Sequence, residues 1–587
     1  MSRPYFHEID SLRAIAVLAV IFFHIDYFNV YGGFLGVDIF FVISGFLISN
    51  FIILRINENK FSFKEFYLNR VKRLLPALFT VCFITIIVGY FKYQPESLKF
   101  LSLTVSSVLL FVSNVLFFNE ANYFNELANQ SPLLHTWSLS VEEQFYLFFP
   151  ILTFFIFKKG NRKLFLVVLV FMISTSLIFS QINSENLNTG YFFLIQSRIF
   201  ELGIGALCSY IHIFEKERFK RISQRFKLSF KVLPLLSIIS ILISFFIFNK
   251  NSTLPGLLSL FPVISTSIFI LTIRNNNYLL KIFSNNILIG IGKISYSLYL
   301  WHFPILIFYP ELSEKQNLFF YFILLFLVSF ISWKYIEQPF RNLNFNFKSF
   351  TISIMLSNFC LLFICIMIYN FDGLKEIYKK HLNIQTSELF EAVKETKVKN
   401  NLIINKECKF LEKNTVKKFV NKVNECLIKH KKFILVLGDS HGIDVYNTIA
   451  HYSEYPFIIG LAQGNCRPDI PDKLRKKRKC HFQKAINFVH FYQKHIKSVI
   501  YTQKGSYLLT NYKNLPILKD NVKKIKNYLE FLISKENYPI VWFGPNPEPN
   551  VDFGMNIKKM QQLLLNKSKL QEYENKNIYL LDKFLKN

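Results

Sequence analysis

Apolar residues form runs of about 18 to 22 residues along the first two thirds of the chain. A helix of that length is needed to cross about 30 Å of hydrocarbon, so each run predicts a membrane-spanning helix. The spans are expected at 9–27, 35–54, 75–91, 143–157, 164–181, 191–212, 232–248, 255–273, 287–308, 317–336 and 349–369. A further apolar segment, 99–118, is studded with Ser, Thr and Asn, and we expect it to be re-entrant or interfacial. The predicted fold class is therefore a polytopic α-helical membrane domain with about eleven spans.

The loops between these runs alternate between basic and Asn/Ser-rich composition. Basic loops stay on the cytoplasmic side, which places the N-terminus and the loops 55–76, 158–163, 214–231 and 274–281 in the cytoplasm. This bias also explains the net charge of +30 without nucleic acid as a partner. No small-residue cleavage site follows the first run, so we expect it to be an uncleaved span. Because eleven is an odd number, residues after 372 are expected on the opposite, extracytoplasmic side.

The last third of the chain has a different pattern. Residues 373–430 are rich in Lys and Asn and predict a linker or a lead-in to a second domain. From residue 431, the segment KKFILVLGDSHGIDVYNTIAHY predicts a buried strand, a tight turn and an amphipathic helix. Further strands are expected at 457–461, 498–502 and 539–543, with helices at 482–494 and 519–534, so 431–587 is predicted to be an α/β domain.

The cysteines follow the same division. Cys82, Cys208, Cys360 and Cys365 lie in predicted spans, and the soluble part after residue 372 holds an even set of four. In an oxidising compartment these four allow two disulfides. Proximity in sequence favours Cys408–Cys426 and Cys466–Cys480, although four cysteines allow three connectivities.

Several predicted spans contain ionisable residues, which are costly in a membrane unless they face a protein interior or a wet cavity. Arg13 and His24 lie eleven residues apart in the first span, so they share one face of a helix about 16 Å apart. Asp38 lies in the second span, where it either orients a partner or has a structural role. The alternatives for the first two are a snorkelling Arg and a buried structural His.

Two later segments are also unusually polar. Arg70 and Arg73 are separated by one turn in RVKR, which suits phosphate binding but also a stop-transfer cluster. HTWSLSVEEQFYLFFP carries His135 and the adjacent carboxylates Glu142 and Glu143. Ser140 and Glu143 match a capping box, which explains one of the two carboxylates. Arg198 and Glu201 lie one turn apart inside a span and are expected to pair.

Arg-x10-His followed by GGFLGVDIFFVISGFL resembles the acyltransferase-3 family of membrane acyltransferases. The other segments that match are RVKR, HTWSLSVEEQFYLFFP, RIFELGIGAL, ISYSLYLWHFP and YIEQPFR, so the resemblance covers residues 5–341. It implies transfer of an acyl group from cytoplasmic acyl-CoA to an acceptor on the far side of the membrane. It implies a base or a transient acyl carrier at His24, with Arg13 holding the polar part of the donor.

The resemblance also assigns roles to the other polar residues. Arg70 and Arg73 would bind the phosphates of CoA, and Glu142 or Glu143 would bind or activate the acceptor hydroxyl. A third group would line the pore or pack the helices: Asp38, His135, Arg198, Glu201, His302, Glu337 and Arg341.

GDSH at 438–441 makes the α/β part similar to the SGNH hydrolase/acyltransferase domain. The resemblance implies a nucleophile at Ser440, where a helix N-terminus favours an oxyanion, and a second oxyanion donor at Gly464 or Asn465. The Asp-x-x-His of that family would be expected beyond NIYLLDKFLKN, where the printed chain ends at Asn587, and no His follows His495. The expectation is either a truncated gene or a domain that binds without completing the chemistry.

Together these features predict a membrane O-acyltransferase, specifically an O-acetyltransferase of the bacterial inner (cell) membrane. Acetyl-CoA is the expected donor, with no metal, and the expected acceptor is an envelope glycan such as lipopolysaccharide O-antigen or peptidoglycan. The expected partners are this donor, the glycan and membrane lipid, with no nucleic acid. The alternative is a polytopic transporter with an outer glycan-binding domain, since buried charges also mark permeation routes.

Overall fold

The structure is a computed structural model of the 587-residue chain. It describes residues 5–546 except 121–130, 159, 186–188, 250–251, 315, 343–346, 381–405, 413–416, 463–481, 505–526 and 528–539. The chain divides into two compact units, Met1–Glu376 and Ile377–Asn587.

The first unit is helical. Its helices are His7–His24, Gly36–Asn57, Phe63–Lys92, Pro95–Leu109, Ser113–Glu120, Trp137–Lys158, Arg162–Glu185, Ile199–Phe214, Lys216–Arg225, Lys227–Ile247, Leu260–Thr272, Asn277–Phe283, Asn286–Lys293, Ser295–Phe308, Leu318–Ser332, Gln338–Asn342, Phe347–Asn370 and Lys375–Lys380. Among the described residues, eight helical segments are long and apolar enough to cross a membrane: Gly33–Asn57, Phe63–Lys92, Leu134–Lys158, Arg162–Ser184, Lys227–Ile247, Leu257–Asn275, Leu318–Asn342 and Thr351–Asn370. The protein is therefore a multi-pass membrane protein.

Three predicted spans have less regular helices. The first, His7–His24, has 18 residues and carries charges in its first two turns. The predicted span 191–212 is reduced to the helix Ile199–Phe214, which follows two short 3-10 turns. The span 287–308 is two helices that meet at Ile294. The count of eleven crossings stays a prediction.

The polar segment 99–118 also consists of two helices. Pro95–Leu109 has 15 residues and Ser113–Glu120 has eight. At 1.5 Å per residue they are about 22 Å and 12 Å long, so neither crosses 30 Å of hydrocarbon by itself. These lengths fit a re-entrant or interfacial segment.

The helix Gly36–Asn57 packs closely against the helix Ile199–Phe214, because a glycine in each helix lets the two backbones approach. A Cβ at Gly45 would lie 1.9 Å from the carbonyl oxygen of Leu202, and a Cβ at Gly205 would lie 2.1 Å from that of Val42. Only residues without a side chain fit such a crossing. The close approach of these two helices brings Asp38 of one beside Arg198 at the start of the other.

The second unit contains a parallel five-stranded sheet: β1 Lys409–Glu412, β2 Phe433–Gly438, β3 Ile458–Ala462, β4 Ile496–Lys504 and β5 Ile540–Asn546. The strand order is β1-β3-β2-β4-β5. The described helices are Lys417–His430, Ser440–Tyr452 and Phe482–Phe491. Without β1, the strand order is that of a doubly wound sheet. After β2, the chain adds β3 on one side of β2 and then β4 and β5 on the other side.

Most of the predicted α/β elements are present. The strand before GDSH and the strands near 457–461, 498–502 and 539–543 are β2 to β5, whereas the predicted helix 519–534 lies outside the described residues apart from Asn527. The segment 373–430, predicted as a linker or lead-in, contributes β1 and the helix Lys417–His430 to this unit. The Cys408–Cys426 disulfide is formed, which confirms that pairing. Cys466 and Cys480 lie outside the described residues.

Candidate active site

Three histidines from distant parts of the chain meet inside the helical unit. Nε2 of His302 lies 3.3 Å from Nδ1 of His24, and the two ring centroids are 5.1 Å apart. The ring of His135 is 5.2 Å from that of His302. His302 is fully buried and His135 is 3% exposed. His24 ends the first helix, so the helical spacing that links it to Arg13 holds in the structure.

Tyr299 connects this cluster to a cavity. Its hydroxyl donates a hydrogen bond to the carbonyl oxygen of His135 at 2.8 Å and lies 2.7 Å from the hydroxyl of Ser138. Tyr299 and Ser138 also line a cavity of the helical unit. Neither residue was predicted from the sequence, although Tyr299 lies in the ISYSLYLWHFP motif, one turn before His302.

The cavity contains an excess of positive charge. Its charged lining residues are three guanidiniums, Arg13, Arg70 and Arg73, and one carboxylate, Glu142. Two adjoining cavities also reach Arg73, and both are lined by Arg341. Nε of Arg73 is buried and has no hydrogen-bond partner in the described part of the chain. A buried donor without a partner is costly, so this position favours an anionic group.

The other guanidiniums in the cavity are held by neighbours. Arg70 stacks on the ring of Tyr146, 4.6 Å from its centroid, and Arg13 lies 3.1 Å from Asp10. Glu142 accepts hydrogen bonds from Ser44 at 3.2 Å and Tyr146 at 2.9 Å. Tyr146 is four residues after Glu142 on the same helix, and this spacing could have identified it from the sequence.

The capping-box prediction is wrong. The helix begins at Trp137, so Ser140 lies inside its first turn rather than before it. Oγ of Ser140 instead contacts Oγ of Ser113 at 2.8 Å. Because the helix starts earlier, Glu142 is more than one turn inside it and faces the cavity. Glu143 is partly buried and is absent from the described lining of this cavity.

Asp38, Arg198 and Glu201 form a second charged group. Nη1 of Arg198 lies 2.8 Å from Glu201, which confirms the predicted pair, and 3.2 Å from Asp38. Nε of Arg198 donates to the carbonyl oxygen of Phe192, and its guanidinium lies over the rings of Phe192 and Trp137. The three charged residues are at most 2% exposed. This arrangement supports the structural role for Asp38.

Glu337 and Arg341 form a third pair, at 3.6 Å, and Glu337 also accepts from Ser297 at 3.4 Å. The two residues line the same cavity as Arg13 and Arg73. Arg341 therefore lines two cavities together with Arg73.

In the second unit, Ser440 is the first residue of the helix that follows β2. The carboxyl end of β2 adjoins the point where the strand order reverses, and doubly wound sheets bind ligands at this position. Gly464 and Asn465 lie outside the described residues. No group of three or more possible metal ligands occurs within the described ranges, and the prediction of no metal stays a prediction.

A multi-pass helical protein with a cation-lined cavity leading to paired imidazoles fits a membrane enzyme that uses an anionic co-substrate. Residues 6–337 match the family described as Acyltransferase domain, and these residues make up more than half of the chain. The chain belongs to this acyltransferase-3 family.

Two relatives are similar over the same part of the chain. The peptidoglycan O-acetyltransferase OatA of Listeria monocytogenes is 33% identical over 363 residues, which cover 60% of this chain and 58% of the relative. The O-acetyltransferase OatA of Staphylococcus aureus is 32% identical over 367 residues, covering 60% and 59%. The chain thus spans less than two thirds of the length of each relative. No solved structure matches.

Proposed function

We propose that this protein is a membrane O-acetyltransferase, which moves an acetyl group from cytoplasmic acetyl-CoA to a hydroxyl of a cell-envelope glycan. The observation that carries the proposal is the cationic cavity, which reaches from Arg70 and Arg73 to Tyr299 beside His302 and His24. The relatives named as O-acetyltransferases support the same reaction.

The cavity supports binding of the donor. Arg73, Arg70 and Arg341 surround the adjoining cavities together with Lys72, and guanidiniums bind phosphate oxygens in pairs. Arg70 is near the start of the helix Phe63–Lys92, on the side where the basic loop 55–76 predicts the cytoplasm. We propose that the phosphates of acetyl-CoA bind here and that Arg13 holds the polar part of the donor further inside. Glu142 lies among these cations, so we assign it to the donor side.

The histidine cluster supports the chemistry. The acceptor hydroxyl oxygen forms a bond to the thioester carbonyl carbon while His24 takes the hydroxyl proton as a general base. The bond between that carbon and sulfur then breaks, and the proton passes from His24 to the leaving thiolate. The products are the acetylated glycan and free CoA. Imidazole is suited to both steps because it gains and loses a proton near neutral pH.

Two observations bear on the acceptor. One relative is named as a peptidoglycan O-acetyltransferase, which favours peptidoglycan over lipopolysaccharide O-antigen. The alternation of basic loops favours an extracytoplasmic position for the residues after 372. We propose that acetylation takes place on that side of the bacterial cell membrane.

The test uses the full chain in proteoliposomes with radiolabelled acetyl-CoA and purified peptidoglycan. We expect alkali-labile label on the glycan, and a loss of about 10²- to 10⁴-fold in His24→Ala, with normal accumulation of the protein. A transporter would move a solute without covalent transfer. Solute flux into the proteoliposomes with no label appearing on the glycan would therefore support that alternative. Near-normal product with His24→Ala would remove this residue from the mechanism.

We propose that the second unit is an SGNH-like domain that binds the glycan. The support is its parallel sheet with Ser440 at the carboxyl end of β2, next to the point where the strand order reverses. A serine hydroxyl is a poor nucleophile unless a base removes its proton, and the role that we propose for Ser440 is in glycan binding rather than in this chemistry. In this chain, we expect Ser440→Ala to leave hydrolysis of a small acetyl ester within about twofold of the unchanged protein. Robust hydrolysis that depends on Ser440 would show that another residue, such as His441 or His490, acts as its base.

A further inference from the structure

The protonation of the paired imidazoles is determined by their own helices. A carbonyl oxygen only accepts hydrogen bonds, so an imidazole nitrogen that faces one carries the proton. Nδ1 of His24 lies 3.0 Å from the carbonyl oxygen of Val20, four residues earlier in the same helix. Nδ1 of His302 lies 2.7 Å from the carbonyl oxygen of Tyr299, three residues earlier. In the neutral state, therefore, both rings carry their proton on Nδ1 and a lone pair on Nε2.

This assignment gives the contact between the two rings a direction. Nε2 of His302 holds a lone pair and lies 3.3 Å from the protonated Nδ1 of His24. His302 is therefore the acceptor, and the Nδ1 proton of His24 is shared between His302 and the carbonyl oxygen of Val20. The opposite direction would bring a lone pair of Nδ1 of His24 against that carbonyl oxygen, and it would require a doubly protonated His302.

We propose that His302 is a positioning residue for His24. Its lone pair fixes the tautomer in which Nε2 of His24 accepts the proton of the acceptor hydroxyl, and it stabilises the imidazolium that forms. This inference rests on the proposed function. His302 keeps its own proton on Nδ1 throughout, so the proton that leaves the hydroxyl moves only to His24 and then to the thiolate.

The surroundings of His302 favour this role. His302 is fully buried, so its imidazole is kept away from water. The hydroxyl of Tyr321 donates to the carbonyl oxygen of His302 at 3.3 Å, a contact that does not involve the imidazole ring. Hydrogen bonds to a charged donor are about twice as strong as neutral ones, and they are stronger still away from water. The bond from His24 to His302 therefore gains strength when His24 is charged, which lowers the barrier to proton uptake.

The test compares two substitutions of similar length in the full chain. His302→Met fills the buried position without a strong acceptor, whereas His302→Gln places an amide oxygen near the position of Nε2. We expect His302→Met to lower kcat for acetyl transfer about 10- to 100-fold, with KM for acetyl-CoA within about twofold. We expect His302→Gln to be at least about tenfold faster than His302→Met, because glutamine supplies the acceptor atom that methionine lacks. A purely structural role would not depend on that atom.

Tyr321→Phe provides the matched control, since it removes a contact to the backbone of His302 and leaves the imidazole pair intact. It should keep the original kcat. Equal rates in His302→Met and the unchanged protein would overturn the inference. It would also be overturned if His302→Gln were as slow as His302→Met while both variants had the same melting temperature. If the unchanged protein transfers no acetyl group, the proposed function fails, whereas a silent His302→Met in an active protein refutes the role of His302 alone.

Discussion

Arg198 and Arg73 both carry a guanidinium in the helical unit. Their surroundings differ in the number of carboxylates and in access to solvent. Arg198 lies between two carboxylates, Asp38 and Glu201, and the three are shielded from solvent. Arg73 lines a cavity in which three guanidiniums face a single carboxylate, and its Nε lacks a described partner. A closed group with its counter-charges holds helices together, whereas an open excess of cations is suited to a mobile anion.

The strongest test of this difference is Arg198→Leu. The substitution leaves Asp38 and Glu201 side by side without a cation, and removing one partner from a buried ion pair costs about 3–5 kcal/mol. We expect poor accumulation and a lower melting temperature in detergent, measured by size-exclusion chromatography and thermal unfolding. A variant that folds normally and loses only acetyl transfer would place Arg198 in the substrate path, as the family resemblance allowed.

The cavity should respond in the opposite way. We expect Arg70→Ala with Arg73→Ala to raise KM for acetyl-CoA about 10- to 100-fold and to leave the melting temperature unchanged, because charged hydrogen bonds to the donor are lost. Lysine at both positions should recover only part, since it lacks the planar guanidinium. Kinetics at varied donor and glycan concentrations measure the effect. A shift in the dependence on glycan alone would contradict the assignment to the donor.

The smallest effect is expected at an exposed pair. Lys99 lies 2.6 Å from Asp372, whose side chain is 71% exposed, so water screens their attraction. We expect Asp372→Asn to change stability by less than about 1 kcal/mol and to leave transfer unchanged. This variant is the control for Arg198→Leu in the same unfolding measurement. A loss as large as that of Arg198→Leu would show that burial does not separate the two kinds of ion pair.

The sequence was informative wherever neighbouring residues determine the outcome. The lengths of the apolar runs predicted the eight helical segments that are long and apolar enough to cross a membrane in the described part of the chain. The β2 strand, the turn and the following helix were predicted from their local pattern. The Arg198–Glu201 pair and the Cys408–Cys426 disulfide were also predicted, because both connect positions close in the chain. Helical spacing likewise placed Arg13 and His24 on one helix.

Local patterns failed where the start of an element depended on distant contacts. Ser140 and Glu143 matched a capping box, but the helix begins three residues earlier, at Trp137, and Ser140 bonds to Ser113. The segment 373–430 was predicted only as a linker or a lead-in to a second domain, and β1 within it is paired to β3. Strand pairing over such a distance gives no periodic signal within the segment itself.

The sequence by itself determined that this is a multi-pass membrane protein of the acyltransferase-3 family with an α/β unit after it, because span length and motif spacing are properties of a continuous stretch of chain. Only the tertiary structure decided which polar residues from distant parts of the chain belong together. It joined Asp38 to Arg198 across 160 residues and His24 to His302 across 278. The physical reason is that glycines such as Gly45 and Gly205 let helix backbones touch, so the partner of a buried charge is set by helix packing and not by its neighbours in the chain.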